Sequence, residues 1–246
     1  MNLTAEQLQE NFDKLIALID AHITGERKDQ LIKLYSDHAE RIMMMPASST
    51  DHHHNAFPGG YVDHVLRVVD CALSLVKVWQ AQGADINYTT EELVFAAINH
   101  DLGKIGDENS EQYLPNDSEW HRKNMGKMYK VNPEPAFMLV PDRGLFLLQQ
   151  RGIKVSLNEW FGIRLHDGVY DEANRAYYFS NSKDSKLRTN LPILLHHADH
   201  MASRIEFEKW NKQETKQPVK QSKKSTTEPT QEQKEDLMDV FNGLFK

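Results

Sequence analysis

Apolar residues in this chain recur every three to four positions and almost nowhere every two. Leu8, Phe12, Leu15, Ile16 and Ile19 trace one helical stripe, with Thr4 and Gln7 as a capping-box signature in front of it. Leu31, Leu34, Tyr35, His38 and Ile42 trace a second over about 28–44, ended by Pro46. A long helix is expected over 61–82, stopped at Gly83. Thr89 with Glu92 caps the next, which runs to His100, and the segment 101–106 breaks it. Short helices are expected around 119–130 and 142–151, and Ser156 with Glu159 caps one through His166. The polar stretch 168–188 reads as a loop with some extended structure. The last strong helix is expected over 191–210, with Ile193, Leu194, His197, Met201, Ile205 and Trp210 as its inward candidates. No segment alternates long enough for a substantial sheet, so the expected class is all-α.

A chain of 246 residues can bury a core without disulfides, and its single cysteine, Cys71, excludes an intramolecular disulfide framework. Cys71 lies in an apolar stretch and reads as a small core residue. The polar N-terminus lacks the shape of a signal peptide, and no apolar run is long enough to span a bilayer. The expectation is a cytoplasmic protein with no membrane association. Its net charge of −7 argues against a broad basic surface for duplex DNA, but not against a small anionic substrate. Between residues 211 and 234 Val219 is the only aliphatic residue, so this stretch reads as a disordered linker. The terminal stretch 235–246 becomes apolar again, with Leu237, Phe241, Leu244 and Phe245 at helical spacing. It reads as an interaction peptide or helix that fills a partner groove, or as a last helix folded back on the domain.

The histidines and aspartates carry the functional reading. The chain has twelve histidines, and their placement matters more than their number. His64 lies early in a long helix, His100 and Asp101 are adjacent at the end of another, and Asp199 lies in the last. Each alone reads as an ordinary surface or capping residue. Together they put imidazole and carboxylate ligands on three helices, as helical bundles do when they bind first-row ions such as Mn, Fe, Co or Zn in their cores.

A His, a distant His-Asp pair and a distant Asp resemble the HD-domain superfamily of metal-dependent phosphohydrolases. The segment Pro46-Ala47-Ser48-Ser49 followed by His53-His54-Asn55-Ala56-Phe57-Pro58-Gly59-Gly60-Tyr61-Val62-Asp63-His64 is similar to the lead-in to the first ligand in HD-type 3′→5′ exoribonucleases and relaxase-associated HD domains. His100-Asp101-Leu102-Gly103-Lys104 is similar to the family's HD-x-G-K form, and Leu195-His196-His197-Ala198-Asp199 to its last ligand helix. The resemblance covers roughly 45–205. It implies an HD-like helical bundle over 46–210, with N-terminal helices over 1–45 packed on its core.

The resemblance also implies a divalent ion (Mn, Fe, Co or Mg), one or two in number, held by His64, His100, Asp101 and Asp199. Asp101, Lys104, His166 and His121 are the expected catalytic residues, with Lys104 and His166 steadying the phosphate. His54, Lys104 and Arg164 are expected to contact substrate. At 166–167 the chain has His-Asp where the family often pairs two histidines, which leaves the metal count open. The implied activity is hydrolysis of a nucleotide phosphoester or phosphoanhydride. The alternatives are a 3′→5′ exonuclease on single-stranded nucleic acid and a noncatalytic nucleotide-binding module. The terminal peptide is similar to the clamp-binding tails of replication proteins, which adds a sliding clamp as an expected partner. Relatives that assemble add a homo-oligomer.

Overall fold

The structure, a computed structural model, describes residues 3–51 and 55–214. It divides into Met1–Asn211 and Lys212–Lys246. The interaction peptide at 235–246 and nearly all of the linker at 211–234 lie outside the described residues. The first unit is all-α apart from one small hairpin.

Helix α1 (Ala5–His22) starts on its capping box: the Thr4 hydroxyl accepts the Gln7 N–H at 3.3 Å and Gln7 Oε1 accepts the Thr4 N–H at 2.9 Å. Phe12, Leu15 and Ile19 are its buried stripe. The helix expected over 28–44 is instead two, α2 (Glu26–Asp37) and α3 (Ala39–Met44), broken at His38 with φ −112° and ψ 20°. The break keeps Ile42 in the core while Arg41 bonds the carbonyls of Ile105 (3.4 Å) and Asp107 (2.6 Å). The periodicity alone could not register those tertiary bonds.

Helices α4 (Gly60–Ala81) and α5 (Thr90–Asn99) pack on each other, and α5 begins on the expected Thr89–Glu92 box. A 3-10 turn, Leu102–Ile105, follows α5. The chain then makes an unexpected hairpin: β1 (Tyr113–Pro115) pairs antiparallel with β2 (Tyr129–Val131), flanking α6 (Glu119–Met125). Strands of three residues are too short to show a period of two. Helices α7 (Val140–Gln150) and α8 (Leu157–Leu165) complete the layer beside α5.

No extended structure forms in 168–188 among the described residues. The segment carries helical turns at Gly168–Tyr170 and Glu172–Asn174 and the short α9 (Arg175–Tyr178). Local side-chain bonds favour turns there: Asp171 accepts the Ala173 N–H at 3.0 Å and the Asn174 amide donates to the Gly168 carbonyl at 3.1 Å.

The last helix, α10 (Leu191–Glu214), buries Leu194, Leu195, Ala198, Ala202 and Glu206, while His197 and Met201 are exposed. Of the expected inward residues Leu194 is buried and Ile193, Ile205 and Trp210 are half-buried, while Ala198, Ala202 and Glu206 take the places expected for His197 and Met201, because the expectation followed the large side chains. One core joins buried residues of α1, α2, α4, α5, α7, α8 and α10, and Cys71 is part of it. Among the described residues no helix is long and apolar enough to cross a membrane.

Arg27 is the polar tie between α2, α5 and α8. Its Nε donates to Glu91 at 3.0 Å and its Nη1 to Glu159 at 2.9 Å; the Glu159 side chain is fully buried. Removing one partner of a buried pair leaves the other charge uncompensated. Arg27→Met is therefore expected to lower stability by about 3–5 kcal/mol in urea unfolding. A loss indistinguishable from that of an exposed control such as Lys14→Met would show that the tie contributes little.

Candidate metal centre

The four ligand candidates come together, and His166 joins them. The segment before His64 needs its glycines. Gly59 sits at φ +84°, and a Cβ on Gly60 would lie 2.0 Å from the Asn55 carbonyl oxygen. That close turn starts α4 so that His64, in its second turn, faces inward and is fully buried. His100 and His166 occupy equivalent places, each just after the last residue of its helix, α5 and α8, and both are buried.

The three imidazoles are oriented alike. His64 Nδ1 lies 3.1 Å from Glu206 Oε2, His100 Nδ1 2.7 Å from the Ala97 carbonyl and His166 Nδ1 2.8 Å from the Ile163 carbonyl. Each partner oxygen only accepts, so each Nδ1 carries its hydrogen. Every Nε2 is thereby turned toward the two aspartates. His64 Nε2 is 3.2 Å from Asp199 Oδ1 and 3.8 Å from Asp101 Oδ2. His100 Nε2 is 3.4 Å from Asp101 Oδ2, and His166 Nε2 is 3.7 Å from Asp101 Oδ1. His100 Nε2 is buried without a hydrogen-bond partner among the described residues. Lys104 Nζ is 2.6 Å from Asp101 Oδ2.

Among the described residues two sets of three have ligand atoms within 4.8 Å of one another: His64, His100 and Asp101, and His100, His166 and Asp199. An orphaned imidazole nitrogen facing carboxylates fits a divalent ion, and anchoring the other ring nitrogen is what metal-bound histidines do. The buried cluster can therefore hold a metal ion.

Its electrostatics point the same way. Burial opposes charge on His64, but Glu206 and Asp199 outweigh it and push its pKa up to about 10. Burial likewise opposes ionisation of Asp101, yet Lys104 and His100 hold its carboxyl well below the usual range. Asp199 is held down against burial by His64. Lys104 is pushed up against burial by Asp101, and His166 by Asp167 and Asp101.

The other expected residues fall elsewhere. His121 belongs to neither ligand set. Its Nδ1 meets the Ser118 hydroxyl at 2.7 Å, and it lines a separate cleft of about 410 Å³ with Ser49, Thr50 and Lys127. Arg164 is engaged by Asp142 at 2.8 Å and Asp171 at 3.1 Å, tying α8 to α7 and to the turn after it. His54 lies outside the described residues.

Sequence reasoning passed over Glu206, which is buried, fixes His64 and is itself held by Arg67 Nε at 3.1 Å. Its signal was a carboxylate seven residues beyond Asp199, on the same face of α10. No family model matches this chain, and neither the curated proteins nor the solved structures contain a match.

With its pKa near 10, His64 is protonated at neutral pH and must lose the Nε2 proton to bind an ion. Mn²⁺ binding at pH 7 should then release about one proton, seen by calorimetry in buffers of different ionisation enthalpy, and tighten as pH rises. Glu206→Gln should weaken binding about 10–100-fold. Unchanged affinity in that variant, with no proton released by wild type, would mean His64 is not a ligand.

Proposed function

We propose that this chain is an HD-type metal-dependent phosphohydrolase that cleaves a phosphoester or phosphoanhydride bond of a nucleotide. The supporting observation is the convergence of three Nδ1-anchored imidazoles on Asp101, which is buried, and Asp199, which is partly so. His64, His100, Asp101 and Asp199 would hold a divalent ion such as Mn, Fe, Co or Mg; a second ion would take His166 as a ligand, whereas with one ion His166 keeps its Nε2 proton. A bound ion would supply Lewis acidity toward a phosphoryl oxygen and lower the pKa of an attacking water.

The chain's own residues do the rest. Lys104 Nζ, 2.6 Å from Asp101 at the edge of the ligand set, would bind a phosphate oxygen of the substrate. To His166 we assign the proton for the departing oxygen. Its Nδ1 is fixed by Ile163, and neighbouring carboxylates favour its charged form. Water, having given a proton to solvent, adds to phosphorus as hydroxide while the bond to the leaving oxygen breaks and that oxygen takes the His166 proton.

The acidic balance of the chain favours a nucleotide over a polymer. One observation favours the exonuclease reading instead. Trp120 is 61% exposed on α6, which also carries Arg122 and Lys123, and this suits a stacked, single-stranded substrate.

Product analysis by liquid chromatography and mass spectrometry tests these readings. The protein is incubated with Mn²⁺, nucleotides, cyclic nucleotides and short single-stranded RNA and DNA. Turnover is expected for nucleotides and should fall by about 10²–10³ in Asp101→Ala. Stepwise 3′ trimming would move the assignment to the exonuclease. Tight nucleotide binding without turnover would move it to a binding module.

A further inference from the structure

Outside the buried cluster, α10 presents a second group of imidazoles that the proposed reaction does not use. We propose that His196 and His200 form an outer binding site for a borderline divalent transition ion, of the class of Zn²⁺, Ni²⁺ or Cu²⁺. This inference does not depend on the hydrolase reading.

The two residues are four apart on a helix and so share a face. Their ring centroids are 6.4 Å apart. His196 is already prepared as a ligand. Its Nδ1 donates to the His166 carbonyl at 2.8 Å, which leaves Nε2 as the nitrogen with the lone pair. The ring is also seated: a Cβ on Gly168 would fall 2.6 Å from His196 Cε1, so the imidazole fills the notch that this glycine leaves. His200 is exposed, and its imidazole makes no hydrogen bond among the described residues. The Tyr170 ring lies 5.8 Å from His196 and 6.3 Å from His200, close enough to restrict both rings. Restricting ligands beforehand lowers the entropy lost on binding.

The chemistry selects the ion. Neither ring is ion-paired with a carboxylate among the described residues, so the site offers nitrogen only. Two imidazoles with water completing the shell suit Zn, Ni and Cu; Mg and Ca require oxygen ligands, and Mn ranks lowest in affinity at a nitrogen pair. The inner cluster, with its two aspartates, accepts harder ions. The two sites should therefore be filled differently from one mixture.

Anomalous diffraction from crystals of the full chain separates them. In a Zn²⁺ soak, a peak is expected between His196 and His200 in addition to any at His64, His100 and Asp101. In a Mn²⁺ soak the outer peak should be missing. His200→Ala, a change at an exposed residue, should abolish the outer zinc peak. In solution the same variant should lose one zinc-binding event by calorimetry relative to wild type, a subtraction that cancels any other histidines on the chain. No outer peak in the wild-type zinc soak overturns the proposal, as does a peak that persists in His200→Ala or equal stoichiometry in the two proteins. An outer Mn²⁺ peak would overturn the assigned ion class.

Discussion

Carboxylates taken out of water demand positive charge nearby, and much of this helical domain is arranged to meet that demand. Asp101 and Glu206 are buried and Asp199 is largely so. Left alone they would protonate or pull the core open. Instead His64, His100, His166, Lys104 and Arg67 surround them, and each imidazole is pinned through Nδ1, His64 by Glu206 itself and His100 and His166 by main-chain carbonyls. The rings cannot turn away without losing a buried hydrogen bond. Their orientation is therefore a property of the fold.

Two of those pins reuse one local device. A helix leaves its last carbonyls unsatisfied, and a histidine just beyond its end can cap one of them with Nδ1. His100 does this to Ala97, and His166 to Ile163. One hydrogen bond thus terminates the helix and aims Nε2. It also explains why ligand candidates sit at helix ends here, where the position of the ring is set by backbone geometry.

The helices and the ligand pattern were legible in the sequence because they depend on local chemistry. Thr4–Gln7, Thr89–Glu92 and Ser156–Glu159 form the boxes their spacing announces. The grouping of His64, His100, Asp101 and Asp199 followed from a pattern of residue types. What escaped was set by distant contacts. The break at His38 answers to Arg41 and its carbonyl partners, and the inward face of α10 answers to His64 through Glu206. His121 and Arg164 sat plausibly along the chain, but spacing cannot say that Arg164 meets two aspartates. The short hairpin falls below the length at which alternation can be read.

The turn that carries Asp101 and Lys104 is held by main chain. A Cβ on Gly103 would lie 2.0 Å from the Val140 carbonyl oxygen, and one on Gly144 would lie 3.2 Å from the Gly103 nitrogen. Two backbones cross there with no side chain between them, and Arg143 adds a hydrogen bond to the Gly103 carbonyl at 3.3 Å. Such a crossing has no soft layer to absorb displacement. The cluster and α7 must then open and close as one cooperative unit, so local fraying would remove the turn and the helix together. An ion held by the cluster would then bind with an affinity coupled to the stability of α7, a helix that contributes none of the ligand candidates.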